Sequence, residues 1–124
     1  MYERVGGDEF FDELTRRFYA AVADDPVLRP LYPEDEAGLE LARVHLRDFL
    51  IQYWGGPDTY NEVRGAPRLR QRHVPFPIGP DERDAWLRHM TDAVHAASMR
   101  PLDEAQMVGY FNSAAAALTN RPAR

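Results

Sequence analysis

The sequence predicts an all-α fold. Apolar residues recur at helical spacing through four long windows, no stretch alternates with the period of two that a half-buried strand needs, and the prolines fall at the ends of those windows rather than inside them. At 124 residues the chain is long enough for one continuous core and short for two, so a single domain spanning 1–124 is expected.

Asp8 is expected to cap the first long helix after the flexible Gly6-Gly7 pair, with Phe10, Phe11, Leu14, Phe18 and Val22 as its inner stripe. Pro26, Pro30 and Pro33 limit Val27 to Tyr32 to a short turn of helix before the acidic loop Glu34-Asp35-Glu36. Leu39, Ala42, Leu46, Phe49, Leu50 and Tyr53 form the stripe of the next helix, which Gly55-Gly56-Pro57 stops. From Asp58 to Pro77 the pattern is irregular, with room for one short helix over Arg68 to Val74. Pro80 suits the first turn of a helix facing inward through Trp86, Met90, Ala93, Val94 and Ala97. Pro101 opens the last one, with Leu102, Met107, Val108, Phe111, Ala115 and Leu118 inward. The sum is four substantial helices, two or three short ones and a long irregular segment, which in a small domain points to function.

Composition narrows the chemistry. There is no cysteine, which removes disulfides, thiolate nucleophiles, Cys-ligated zinc and iron–sulfur clusters, so any redox chemistry needs a bound cofactor. A net charge of −5 opposes nonspecific nucleic-acid binding, although Arg64, Arg68, Arg70 and Arg72 make a local basic cluster whose simplest reading is a solvated surface. No apolar run approaches the roughly 20 residues of a membrane span, and MYERVGGDEFF lacks a secretory h-region. A cytoplasmic location, no membrane partner and no nucleic acid are the expectations.

Ser98 and Ser113 lie in no GxSxG context; His45, His73, His89 and His95 contain no HExxH. His89 and His95, six apart, fall on different helix faces and read as surface or partly buried residues without a metal role. Most acids occur as DE, ED or DD pairs whose ordinary role is to favour helix N-termini and solubility. His73 stands apart, alone in the cationic stretch RLRQRHVPFPIG. One imidazole cannot make a structural zinc site but can hold haem iron while the opposite face stays open. Tyr19, Tyr32 and Trp86 read by themselves as core aromatics whose polar tips find partners; beside His73 they read as three hydrogen-bond donors around an iron-bound ligand.

The segments RFYAAVADDPVLRPLYPED, FLIQYWGGPDTY, RGAPRLRQRHVPFPIG and ERDAWLRHM follow one another in the order found in the truncated haemoglobins of the second group, the short two-over-two helical globins of bacteria. The chain resembles that family from Val5-Gly6-Gly7 to its last helix. The resemblance implies a two-over-two sandwich binding haem b, with His73 as the proximal iron ligand, Tyr19 and Tyr32 as distal tyrosines and Trp86 as the indole donor. Leu46 and Phe49 would pack on the distal haem face. Ala42 stands where many globins place a distal His or Gln, and Arg72 would pair with a haem propionate or simply be solvated. Two departures stand out. The link before the distal helix is about two residues longer than the family's, and His45 replaces an arginine, which leaves propionate contacts and ligand access open. As a sixth iron ligand His45 is disfavoured, lying about 100° around the helix from Leu46.

The implied function is O2 binding at ferrous iron with slow release, extending to NO, CO or peroxide. It would serve nitric oxide dioxygenase-like or peroxidase-like redox chemistry rather than bulk oxygen transport. The alternatives are an O2 sensor or delivery protein acting through a partner, and a haem-free helical interaction module. A reductase partner is expected on the acidic surface, and a homodimer is left open.

Overall fold

Pro80 and Pro101 each occupy the first turn of a long helix, where a missing N–H costs nothing, and the apolar windows between the other breakers are helical as well. The computed structural model describes residues 1–122, and among them there is no strand. In chain order the helices are Tyr2–Val5 (α1), Asp8–Ala23 (α2), a 3-10 turn at Arg29–Leu31, Glu36–Tyr53 (α3), Thr59–Arg64 (α4), Leu69–His73 (α5), Pro80–Ala96 (α6) and Pro101–Leu118 (α7). Residues 123 and 124 of the expected 1–124 domain lie outside the described residues.

The α2 helix packs on α3, α6 packs on α7, and α2 also packs on α6, so two helix pairs are layered through the α2–α6 contact. The core sits in that contact. Phe11, Leu14, Phe18 and Val22 of α2 meet Met90 and Val94 of α6 and Met107 and Phe111 of α7, all essentially solvent-free. Each such side chain contributes about 1.5–3 kcal/mol of burial. Gly6 and Gly7 adopt φ of 119° and 68°, left-handed values that let α1 fold back at the start of α2. Gly56 must also be glycine, because a Cβ there would lie 2.6 Å from Ile51 and 2.7 Å from the Tyr2 ring.

Four local expectations are corrected. Asp8 is the first helical residue of α2 rather than its cap; Gly7 is the cap, and the Asp8 carboxylate accepts the Tyr2 hydroxyl at 2.6 Å. Leu102 is 85% exposed, because residues 103, 107, 111 and 115 make the inner row of α7 and Leu102 lies a helical step off it. Asp103 takes the buried place and pairs with Arg4 at 2.7 Å. Tyr53, assigned to the inner stripe, is 50% exposed at the last turn of α3, with one face against Tyr110 at 4.2 Å between centroids. The segment from Asp58 to Pro77 is less irregular than its prolines and glycines suggest, since it holds α4 as well as α5.

The α2–α3 seam contains a charged centre that periodicity does not reveal. Arg43 is buried and donates to Glu40 at 2.7 and 2.8 Å, to Asp12 at 3.0 Å and to Thr15 at 3.2 Å. Arg47 also reaches Asp12, at 3.1 Å. Each of the three guanidinium nitrogens of Arg43 finds an oxygen, and two of its partners are carboxylates, which is what allows such a charge to be buried.

Candidate functional site

Where α3, α4 and α5 diverge from the layered core, a cavity of about 480 Å³ opens. The helix from Glu36 to Tyr53 places Ala42, Leu46 and Phe49 on its wall at spacings of four and three, which share one helix face. Tyr19 comes from α2, Tyr32 from the end of the proline-bounded turn, Trp86 from the first half of α6, and Arg72 and His73 from α5. The eight residues singled out in the sequence therefore line one cavity. Most of its wall is aliphatic or aromatic, with a few polar tips converging, the composition of a small-molecule site.

His73 is the last residue of α5, and its Nδ1 lies 2.6 Å from the Leu69 carbonyl one turn earlier. That carbonyl can only accept, so Nδ1 carries the proton and Nε2 keeps its lone pair; the tautomer follows from the hydrogen-bond network. The backbone beyond His73 is held from far away. Asn120 Nδ2 donates to the His73 carbonyl at 3.1 Å and to the Phe76 carbonyl at 2.9 Å. The Asn120 Oδ1 accepts the Ile78 N–H at 2.9 Å, and the Asn120 N–H donates to Ile78 O at 2.8 Å. Sequence reasoning missed this clamp. An asparagine past the end of a helix reads as an ordinary terminator, and its partners lie more than 40 residues away.

The aromatic polar tips form a second cluster. The Tyr19 and Tyr32 rings meet edge to face at 5.5 Å, and Phe18 packs between neighbours, 5.2 Å from Tyr19 and 5.3 Å from Trp86. Both adjacent aromatics of α2 are buried, since Phe18 enters the core while Tyr19 enters the cavity wall. Burial pushes the Tyr32 hydroxyl up to about 12, partly offset by hydrogen bonding from Tyr19 and Trp86. Burial likewise raises Tyr19 well above its ordinary value, reinforced by Tyr32. Both phenols stay protonated, and therefore remain donors, throughout the neutral range.

The charged wall differs from expectation. Arg72 donates to the carbonyls of Pro67 at 2.6 Å, Arg64 at 2.9 Å and Ala66 at 3.2 Å, so its guanidinium braces the α4–α5 link as well as facing the cavity. His45 also lines the cavity despite its offset from Leu46, and its Nδ1 lies 3.0 Å from an Arg64 nitrogen. Arginine cannot accept, so His45 Nδ1 is the acceptor there, and burial followed by the Arg64 charge holds its pKa below the usual histidine value. The acidic pair Asp24-Asp25 is more than a solubilising surface. Asp25 is buried, caps the N–H groups of Val27 and Leu28, and pairs with His89 at 2.5 Å, tying the turn that carries Tyr32 to the helix that carries Trp86. His89 is a partly buried structural residue; His95 is exposed and 3.7 Å from Glu104. No cluster of three or more metal-binding side chains occurs among the described residues. No helix among them is long and apolar enough to cross a membrane.

A family model described as bacterial-like globin matches residues 1–120. The chain is 46% identical over 93 residues to group 2 truncated hemoglobin YjbI of Bacillus subtilis (strain 168), covering 75% of this chain and 67% of that protein. Among solved structures, a thermostable hemoglobin from the actinobacterium Thermobifida fusca superposes with a TM-score of 0.93 at 54% identity over 98% of both chains. A truncated oxygen-avid haemoglobin from Bacillus subtilis superposes at 0.88 and 37% identity, over 96% of this chain and 98% of that one.

Proposed function

The chain belongs to the bacterial-like globins, among the group II truncated haemoglobins, and from this we propose that it is a single globin domain binding haem b through His73 and releasing O2 slowly. Globin membership supports haem-based binding of O2 and other diatomic ligands. The one observation that carries the residue assignment is His73 itself. It stands on the wall of a largely apolar cavity with Nδ1 committed to Leu69, which leaves Nε2 as the only lone pair an iron could take. The residues present fit haem: an imidazole of fixed tautomer, apolar walls from Leu46 and Phe49, and cations Arg64 and Arg72 for carboxylates. When bound, haem supplies an iron centre for reversible binding of diatomic ligands.

The chain's own residues do the rest. His73 Nε2 holds the iron, and the Leu69 carbonyl raises the basicity of that nitrogen. Ala42 leaves room where a longer residue would intrude, and Leu46 and Phe49 keep water out. Hydrogen bonding from Tyr19 and Trp86 lowers Tyr32 against the upward push of burial, so in this reading the Tyr32 proton is the one left to reach a ligand. Each such hydrogen bond contributes about 0.5–1.5 kcal/mol, enough to slow ligand escape up to about tenfold. The oxygen-avid relative agrees with tight retention, which suits nitric oxide or peroxide redox chemistry better than bulk transport.

The test is spectroscopic. Protein given haem should show a Soret band that shifts on reduction and again with CO and O2. His73→Gly should lose the five-coordinate histidine spectrum and regain it with added imidazole; an unchanged His73→Gly spectrum overturns the assignment. A Soret band that never forms would favour a haem-free helical interaction module.

A further inference from the structure

From Val63 to Gly79 the chain contains four arginines and no acid, while its overall charge is −5. None of the four pairs with a carboxylate among the described residues, whereas seven arginines elsewhere do. Arg64 is turned towards His45 and Arg72 towards backbone carbonyls, which leaves Arg68 and Arg70 on the exposed side of α5. The same stretch of chain carries exposed apolar side chains, Val63 in α4 at 71% and, just after α5, Val74 at 63% and Phe76 at 41%. Phe76 belongs to the surface and to the cavity wall at once, and its ring centroid is 6.5 Å from that of His73. An exposed segment that combines apolar side chains with cations paired to no carboxylate, and ends one aromatic ring from the iron-holding imidazole, suits a small acidic protein that must come close to the cofactor.

The reason for such an approach is chemical. Ferric haem must be reduced before it can hold O2, and a chain without cysteine has no thiol of its own to supply the electron. We propose that the Arg68–Phe76 face docks an acidic one-electron carrier protein that reduces the iron. This places the redox partner on the basic face rather than on the acidic surface expected from net charge. In the step, one electron passes from the reduced carrier to ferric iron, giving ferrous iron and a carrier oxidised by one electron; no atom moves. The inference rests on the haem-binding reading above.

The experiment uses the haem-loaded full chain, reduced plant-type [2Fe–2S] ferredoxin as the acidic donor, and CO to trap ferrous iron. The Soret spectrum is recorded first, so that loss of haem binding is told apart from loss of docking. The expected result is that Arg68→Glu/Arg70→Glu, with an unchanged Soret band, is reduced about tenfold more slowly at low salt, and that the steep salt dependence flattens. Reduction by the methyl viologen radical cation should be no slower, and Arg17→Glu/Arg100→Glu should stay within about twofold of the parent. Arg68 has a left-handed φ of 42°, so Arg70→Glu alone serves as a second variant free of that backbone constraint. Parent-like rates in the double variant, equal slowing by the control pair, or equal slowing with viologen each overturn the proposal. So would binding to phosphatidylserine vesicles that is lost in the double variant while ferredoxin reduction stays unchanged, which would assign the face to a membrane.

Discussion

Tyr32 shows how much one side chain inherits from its neighbours. Its oxygen takes the hydrogen bonding of Tyr19 and Trp86, and burial holds it protonated. On the proposed function, a protonated phenol that accepts from two donors would have its own hydrogen free, so Tyr32 would be the direct contact to a ligand and the other two its supports. Tyr32→Phe should therefore raise the O2 dissociation rate most, by up to about tenfold, with Tyr19→Phe and Trp86→Phe raising it less. Flash photolysis or stopped-flow exchange against CO measures this, and equal rates in all three variants would contradict the ordering. Because Tyr19 and Tyr32 are both raised, the parent rate should be flat from pH 6 to pH 9.

At the level of elements, what sets α5 is not its own sequence. Five residues make little more than one turn of helix, too short to be stable alone, and its N-cap Arg68 sits in a conformation that favours glycine. Arg72 braces it from the N-terminal side through three carbonyls, and Asn120 clamps the loop beyond His73. Asn120→Ala removes the three side-chain hydrogen bonds that hold the loop after His73 and leaves only the backbone bond to Ile78. The expected outcome is faster haem transfer to apomyoglobin, by about tenfold for each 1.4 kcal/mol lost, with the O2 dissociation rate little changed. A transfer rate equal to the parent's would show that α5 does not need the clamp. In the 58–77 segment the short helix expected over Arg68 to Val74 is present as α5, but α4 was not legible, since a helix of six residues leaves too little periodicity to detect.

For the whole molecule, paired groups dictate the response to acid. Hydrogen bonds from Arg16, with Arg43 and Arg47, hold Asp12 far below the usual carboxylate range. His89 lowers Asp25, Arg43 lowers Glu40, and Arg4 lowers Asp103. His45 is lowered as well, by burial and then Arg64. A group whose folded pKa is depressed contributes stability present above its unfolded value and lost as pH falls through the folded one. The five act in the same direction, so the urea midpoint should be highest above about pH 6.5 and fall steadily below about pH 4. Tyr19 and Tyr32, raised by burial, act oppositely and cost stability only as pH climbs past about 10. A midpoint unchanged between pH 7 and pH 3 would contradict this reading.

The sequence by itself determined the four long helices, their proline starts, the inner stripes and the set of eight residues that share the cavity, because these follow from periodicity, backbone chemistry and family-bearing segments. Tertiary structure alone decided the Asn120 clamp, the Asp25–His89 tie, the buried Arg43 and the exposure of Leu102. In the first three, polar groups satisfy one another across long stretches of chain; a periodic pattern reports which face of a helix is apolar, not which distant partner a polar atom will meet. Leu102 went outward because a helix has one inner row at its end, and Asp103, paired with Arg4, already occupied it.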